Sequence, residues 1–184
     1  MTKTEEHYLY KKTLEKYFDL NKYKIKENPS ILNIGCGKGW DMKAQKEHLK
    51  AKTILGIDDN IKSIEKAKKS FSKKEEFHFE TENALFLNYF IMMDFDIIFC
   101  SHPEVWHRNN VWKEIFEKAS LKLKENGYMI STFYTEKEMN ITKEILEGLD
   151  YEIKTAEKNP YSVKIPGYKF KRHDYILVAE KNQI

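Results

Sequence analysis

Cysteine is nearly missing from this sequence: Cys36 and Cys100 are the only two in 184 residues. Both sit inside apolar runs, which excludes a small fold framed by disulfides. Long hydrophobic runs are missing too. No stretch approaches the roughly 18 apolar residues of a membrane span, and Met1 to His7 has no apolar core of a signal peptide. Charge of one sign is not in excess, because 32 Lys+Arg against 29 Asp+Glu leave +3. That balance neither argues for a nucleic-acid partner nor against one. Internal repeats, low-complexity tracts and a domain linker are also absent. The expectation is a reduced, cytoplasmic, single-domain protein with no membrane contact.

What is present is ordinary for a globular chain: 41% hydrophobic, 33% charged and 14% aromatic residues. Aromatic content at that level excludes disorder. Residues 4 to 20 carry an irregular helical stripe of Tyr8, Leu9, Leu14, Tyr17, Phe18 and Leu20, ending near Asn21. Asn28-Pro29-Ser30 breaks the chain. From Ser30 onward, strands and helices alternate. Strands are predicted at 30–34, 53–59, 77–80, 95–100, 128–133, 151–155 and 175–179. Helices are predicted at 41–49, 61–71, 109–123 and 138–149. Asn60 is placed to cap the second of these, whose Ile61, Ile64, Ala67, Lys68 and Phe71 share a face. Gly127 closes the third as a left-handed turn residue.

Such alternation predicts an open parallel sheet with helices on both faces. Ligands of these sheets sit beyond the carboxyl ends of the strands, where strand order reverses. Three predicted ends carry polar or glycine-rich residues: 35–41, 58–60 and 101–104. Ile31-Leu32-Asn33-Ile34-Gly35-Cys36-Gly37-Lys38-Gly39 is the most informative. An apolar strand runs into three glycines, which permit positive φ and let a ligand lie against the main chain. A following helix would aim its free N–H groups at the same place. This reads as a nucleotide-type cofactor site. The rivals are a strand–helix connection without ligand and a nicotinamide-dinucleotide turn. The latter usually follows G-x-G-x-x-G, whereas position 40 here is Trp.

Taken with Gly56-Ile57-Asp58, Glu82-Asn83-Ala84, Phe95-Asp96-Ile97-Ile98-Phe99 and 121–130, the glycine stretch resembles the class I S-adenosylmethionine-dependent methyltransferases over residues 30 to 135. That resemblance implies a Rossmann-like α/β fold: a three-layer αβα sandwich on a doubly wound, mostly parallel seven-stranded sheet with an antiparallel C-terminal hairpin. It implies a transferase that uses S-adenosyl-L-methionine and releases S-adenosyl-L-homocysteine. Asn33, Gly35, Cys36, Gly37 and Gly39 would lie near the amino-acid and ribose parts of the cofactor. Asp58 would accept hydrogen bonds from the ribose hydroxyls, Asp59 would flank the adenine, and Asn83 with Ala84 would meet the adenine amino edge. Cys100 or Ser101 would line the methionine end. Relatives commonly carry acids at the positions of Asn33 and Asn83. The chain divides into an N-terminal helix (1–28), a cofactor-binding core (29–135) and a C-terminal helix and hairpin (136–184).

Methyl transfer needs alignment of nucleophile and methyl group, and often removal of a proton. Ser101, His102, Glu104 and His107 are the catalytic candidates, the histidines because their pKa lies nearest neutrality. Ser101-His102-Pro103-Glu104 resembles the Asn/Asp/Ser-Pro-Pro-Tyr tetrad of amino-group methyltransferases, departing at His102 and Glu104. The bland reading makes His102 a loop packer, and His107 and Arg108 solvated residues. Two His and one Glu within six residues could hold a metal only if the loop closed them on one point, and no metal is expected. Between the last two strands, 159–173 interleaves aromatic and basic residues. This arm would grip RNA or an aromatic or phosphate-bearing substrate, or be a hairpin with a solvated basic edge. The first helix would close the crevice or simply pack on the sheet. The acceptor is a small molecule or RNA, and a non-catalytic cofactor-binding subunit is the alternative.

Overall fold

A computed structural model describes residues 3–18, 22–23, 25–90, 93–164 and 167–182. In chain order it contains α1 (Lys3–Tyr17), β1 (Ser30–Ile34), α2 (Trp40–Leu49), β2 (Thr53–Asp58), α3 (Ile61–Ser70) and β3 (Phe77–Thr81). A 3₁₀ turn (Ala84–Phe86) leads into α4 (Leu87–Phe90), β4 (Phe95–Ser101), α5 (Asn109–Ser120), β5 (Leu123–Phe133) and α6 (Glu136–Glu147). The chain then forms β6 (Tyr151–Lys158), a short pair β7 (Val163–Lys164) and β8 (Lys171–Arg172), and β9 (Tyr175–Lys181).

Seven strands form one sheet in the order β3-β2-β1-β4-β5-β9-β6. β9 runs antiparallel to both β5 and β6, and the other pairings are parallel. The predicted seven-stranded sheet with its C-terminal hairpin is therefore present. β1 is buried on four of its five residues, as a strand covered on both faces must be. Its alternate side chains enter different cores. Ile31 joins Met42, Ala44, Ile64 and Leu14 on the face covered by α1, α2 and α3. Leu32 and Ile34 join Phe116, Ala119, Met139 and Leu146 on the face covered by α5 and α6. Burying a side chain of this size contributes about 1.5–3 kcal/mol, and the period-2 alternation shares that stabilisation between two layers.

Strand order reverses at β1, with β2 on one side and β4 on the other. The crevice belongs there. At the opposite end of these strands Asp96 ties β4 to β1, its Oδ2 accepting from the Ser30 backbone N–H at 2.8 Å and the Ser30 hydroxyl at 2.7 Å.

Several local expectations are corrected. α5 stops at Ser120, and Leu123 already belongs to β5, leaving Leu121 67% exposed between them. Asn126 rather than Gly127 takes the left-handed conformation, with φ 57. Asn tolerates that region, while Gly127 sits where a Cβ would lie 2.7 Å from the Leu123 side chain. Ile61 is 60% exposed and so is not on the buried face of α3. Leu20 and Asn21 lie outside the described residues. Asn60 does cap α3, accepting from Ser63 N–H at 3.1 Å. α6 begins two residues earlier than expected because Thr135 and Glu138 form a reciprocal capping box.

Candidate functional site

Gly35, Gly37 and Gly39 carry φ values of 69, 54 and 72, a region that costs other L-residues roughly 1–2 kcal/mol. Added Cβ atoms at Gly35 and Gly37 would meet nothing within 4 Å. The turn thus leaves open space above its backbone. Gly39 differs: it caps the N-terminus of α2, and a Cβ there would lie 2.9 Å from the Phe79 ring. Gly56 is needed for the same turn, because a Cβ would lie 2.8 Å from Cys36 Sγ. Asp58 then links two strand ends. Its Oδ2 accepts from Gly37 N–H at 2.8 Å and its Oδ1 from Asn60 N–H at 2.9 Å.

A crevice of about 450 Å³ opens beyond these ends. Gly35, Asp58, Asp59, Asn83, Ala84, Ser101, His102 and Glu104 line it, so eight residues singled out from the sequence meet at one place. Apolar walls not foreseen come from Ile34, Ile57, Leu85, Val111, Trp112 and Ile115. Only the approach of α5 reveals the last three. Asn83 spends its Oδ1 capping the 3₁₀ turn, accepting from Leu85 N–H at 3.0 Å.

Other predicted residues stand back from the crevice. Asn33 is buried and donates to Gln45 Oε1 at 3.0 Å, while Gln45 donates to the Tyr10 hydroxyl at 3.2 Å. Gly37 and Gly39 shape the turn from behind. Cys100 is fully packed in the α5–α6 core, since its strand position points away from the site. Cys36 is half-buried beneath the turn, and burial followed by the Asp58 charge pushes its thiol well above the usual range. His107 is exposed beside Trp106, with ring centroids 6.0 Å apart, outside the crevice.

His102 has the most unusual setting. It takes φ 58 at the end of β4, where its N–H donates to Thr132 O at 2.8 Å. Its ring stacks on Tyr134 at 4.0 Å and lies 4.7 Å from the ring of His173. Both ring nitrogens are shielded from solvent, with no hydrogen-bond partner among the described residues. Burial, reinforced by His173 and Arg172 and opposed by Asp41, holds its protonation well below the ordinary histidine range. The site therefore holds a neutral imidazole at pH 7.

The arm and α1 pack behind His102. Asn159 is buried and donates to Thr13 Oγ1 and to His173 O, each at 2.8 Å, tying the arm to α1. Arg172 is ion-paired with Glu6 of α1 and, at 3.3 Å, with Asp41 at the start of α2. Tyr8, by contrast, is 58% exposed, and Tyr168 and Phe170 at the arm tip are 70% and 48% exposed. Arm and helix thus do two things at once: their inner residues lock onto the site and their outer ones meet solvent. The inward roles of Tyr10, Asp41, Tyr134, Arg172 and His173 were not legible in sequence. His102 and His173 lie in separate segments that only the β5–β9 pairing brings together.

A parallel sheet reversing at β1, a glycine turn and a carboxylate at the end of β2 define a class I nucleotide-cofactor domain. Residues 31–127 match the family described as "Methyltransferase domain". That is more than half of the chain, which belongs to this family of S-adenosylmethionine-dependent methyltransferases. No curated protein matches the sequence. Among solved structures, it is similar to an S-adenosylmethionine-dependent methyltransferase from Clostridium acetobutylicum, at 13% identity and TM-score 0.74, covering 96% of this chain and 92% of that one. It is also similar to the N-methyltransferase NodS from Bradyrhizobium japonicum, at 10% identity and TM-score 0.71, covering 98% of each chain. A third is magnesium protoporphyrin IX methyltransferase from Synechocystis with bound S-adenosylmethionine, at 12% identity and TM-score 0.68, covering 97% and 81%. Likeness at this identity shares a fold. The cofactor of the family is S-adenosylmethionine. No helix among the described residues is long and apolar enough to cross a membrane.

Proposed function

We propose that the crevice holds S-adenosylmethionine along the carboxyl ends of β1, β2 and β4, and that His102 receives the proton of a small hydroxyl- or N–H-bearing acceptor. The observation that carries this reading is the pairing of Asp58 with open space over Gly35 on one wall and a neutral, unpartnered His102 on another. The residues suit the group. Asp58 presents a carboxylate to ribose hydroxyls. Asn83 and Ala84 offer an amide and backbone to the adenine edge, between apolar Leu85 and Ile115. Ser101 and His102 lie toward the reacting end.

When bound, the cofactor supplies an electrophilic methyl carbon, whose bond to sulfur breaks as the acceptor's lone pair attacks, the electron pair staying on sulfur. The chain's part is to align the acceptor and take its proton onto a ring nitrogen of His102. Glu104, exposed at the wall, and Ser101 line the crevice beside His102. Arg172 and His173 are turned inward rather than toward an RNA backbone, which favours a small acceptor.

Calorimetry with S-adenosylhomocysteine tests the cofactor half. Asp58→Ala removes charged hydrogen-bond acceptors worth about 1.5–3 kcal/mol, so Kd should rise roughly 10- to 100-fold. An unchanged Kd would refute the placement. Transfer of tritiated methyl to tRNA, at a rate that falls with salt, would refute the small acceptor.

A further inference from the structure

We infer that His173, delivered by the C-terminal arm, is a positioning residue for His102. It holds the His102 ring against Tyr134 so that an uncharged nitrogen is kept ready for the acceptor's proton. This rests on the reading of His102 as the proton-accepting group.

The arrangement is a costly one. His102 and His173 both adopt left-handed backbone conformations, with φ 58 and 55. Backbone strain of this kind persists only where the surrounding structure holds it. Both nitrogens of His102 and Nε2 of His173 are also buried without a hydrogen-bond partner among the described residues. A buried polar group left unsatisfied adds a desolvation penalty to that strain. Asn or Gly would relieve the backbone, and an apolar ring would fill the space without open nitrogens. Two adjacent histidines therefore make poor packing residues, and this is the kind of strain that persists where a site needs it.

His173 is itself held on several sides. Its Nδ1 lies 2.8 Å from Thr132 Oγ1 on β5, and its carbonyl accepts from Asn159 Nδ2 at 2.8 Å. Tyr10 of α1 packs on its ring at 4.6 Å. Its Nε2 lies 3.8 Å from Asp41 Oδ2, whose charge is already engaged by Arg172. Held on these sides, the ring is fixed 4.7 Å from the His102 ring, which stacks on Tyr134 at 4.0 Å. His102 thus packs against both the exit of β5 and the arm.

The groups facing the pair are Tyr134 and Thr132 from β5 and its exit, Arg172 from β8, Asp41 from α2, and Tyr10 and, through Arg172, Glu6 from α1. Arg172 opposes a second positive charge and Asp41 favours one. On accepting the acceptor's proton, His102 becomes an imidazolium beside His173 and Arg172. Burial and Arg172 disfavour that charge, so the proton passes on to water admitted as the products leave, which resets the neutral ring.

The experiment compares wild type, His173→Ala and His173→Phe, each saturated with S-adenosylhomocysteine. Long-range ¹H–¹⁵N spectra follow the His102 ring nitrogens against pH, and calorimetry follows the ligand. His173→Phe keeps a ring in place and guards against loss of folding in His173→Ala. In both variants, Kd for S-adenosylhomocysteine should stay within about twofold of wild type. In His173→Ala, the His102 titration should move up toward the ordinary histidine range. The upfield ring-current displacement from Tyr134 should also disappear. His173→Phe should keep that displacement while its titration moves less. Unchanged His102 titration and ring shifts in both variants would overturn the inference. Absence of S-adenosylhomocysteine binding in wild type would instead overturn the cofactor placement.

Discussion

Gly39 and Gly37 look alike in the sequence, yet they sit in different surroundings. A Cβ at Gly37 enters open space and pays only for its left-handed backbone, whereas one at Gly39 also presses on Phe79 and Phe71, at 2.9 and 3.2 Å. Aromatic rings packed between β3 and α3 yield less readily than the tip of a flexible side chain. Gly39→Ala should therefore destabilise the fold by about 2–4 kcal/mol, against about 1–2 kcal/mol for Gly37→Ala. Urea unfolding midpoints for the two variants would decide it, and equal losses would refute the packing argument. At this scale the site was legible wherever chemistry follows from a strand end. Gly35, Asp58, Asn83 and His102 each close a predicted strand or its exit turn. It was not legible where a residue's strand parity decides: Cys100 and Ser101 are neighbours, and only one faces the crevice.

Elements were legible where an apolar period ran uninterrupted. β1, β2 and β4 lie within a residue of where their apolar runs put them, and β9 extends two residues further at its end, because each must bury side chains on both faces of the sheet. Ends were lost where a cap or a strand overrode helical spacing. Leu121 and Leu123 continue the period of α5, but β5 begins by pairing Leu123 with Phe95. The arm was seen as a hairpin without its attachment. That attachment depends on Asn159, buried and shared between α1 and the arm. Its own backbone N–H donates to Asp174 O at 2.8 Å, and its side chain organises the turn through Tyr161 N–H at 3.0 Å. Asn159→Ala leaves Thr13 and the His173 carbonyl short of a donor, a loss of about 1–3 kcal/mol. Hydrogen exchange should quicken in α1 and in 160–174 together, with β1 to β4 unchanged. Faster exchange confined to the arm would mean that α1 is held by other contacts.

Across the whole molecule, the same buried histidines couple folding to acidity. His173 is held below its ordinary protonation range by burial and then by Arg172, and His102 by burial, His173 and Arg172. In the unfolded chain both titrate near pH 6.5. Below that value the unfolded state binds protons that the folded state refuses, so stability is complete above about pH 6.5 and drains away as pH falls through it. Each histidine contributes a slope of about 1.4 kcal/mol per pH unit until its folded-state pKa is reached. Asp96 extends the loss to lower pH. Its burial opposes ionisation, but Lys124 and the two Ser30 donors outweigh that and hold its pKa below the usual carboxylate value. Its share is present above its unfolded pKa and is lost as the tie between β1 and β4 protonates. Urea unfolding from pH 7.5 to 5 should therefore show a steep decline that starts near 6.5, well before carboxylates titrate. His173→Phe should remove about half of that slope and leave the acid limb below pH 4 intact. A flat profile down to pH 5 would mean that solvent reaches both rings, and the buried site would then have to be abandoned.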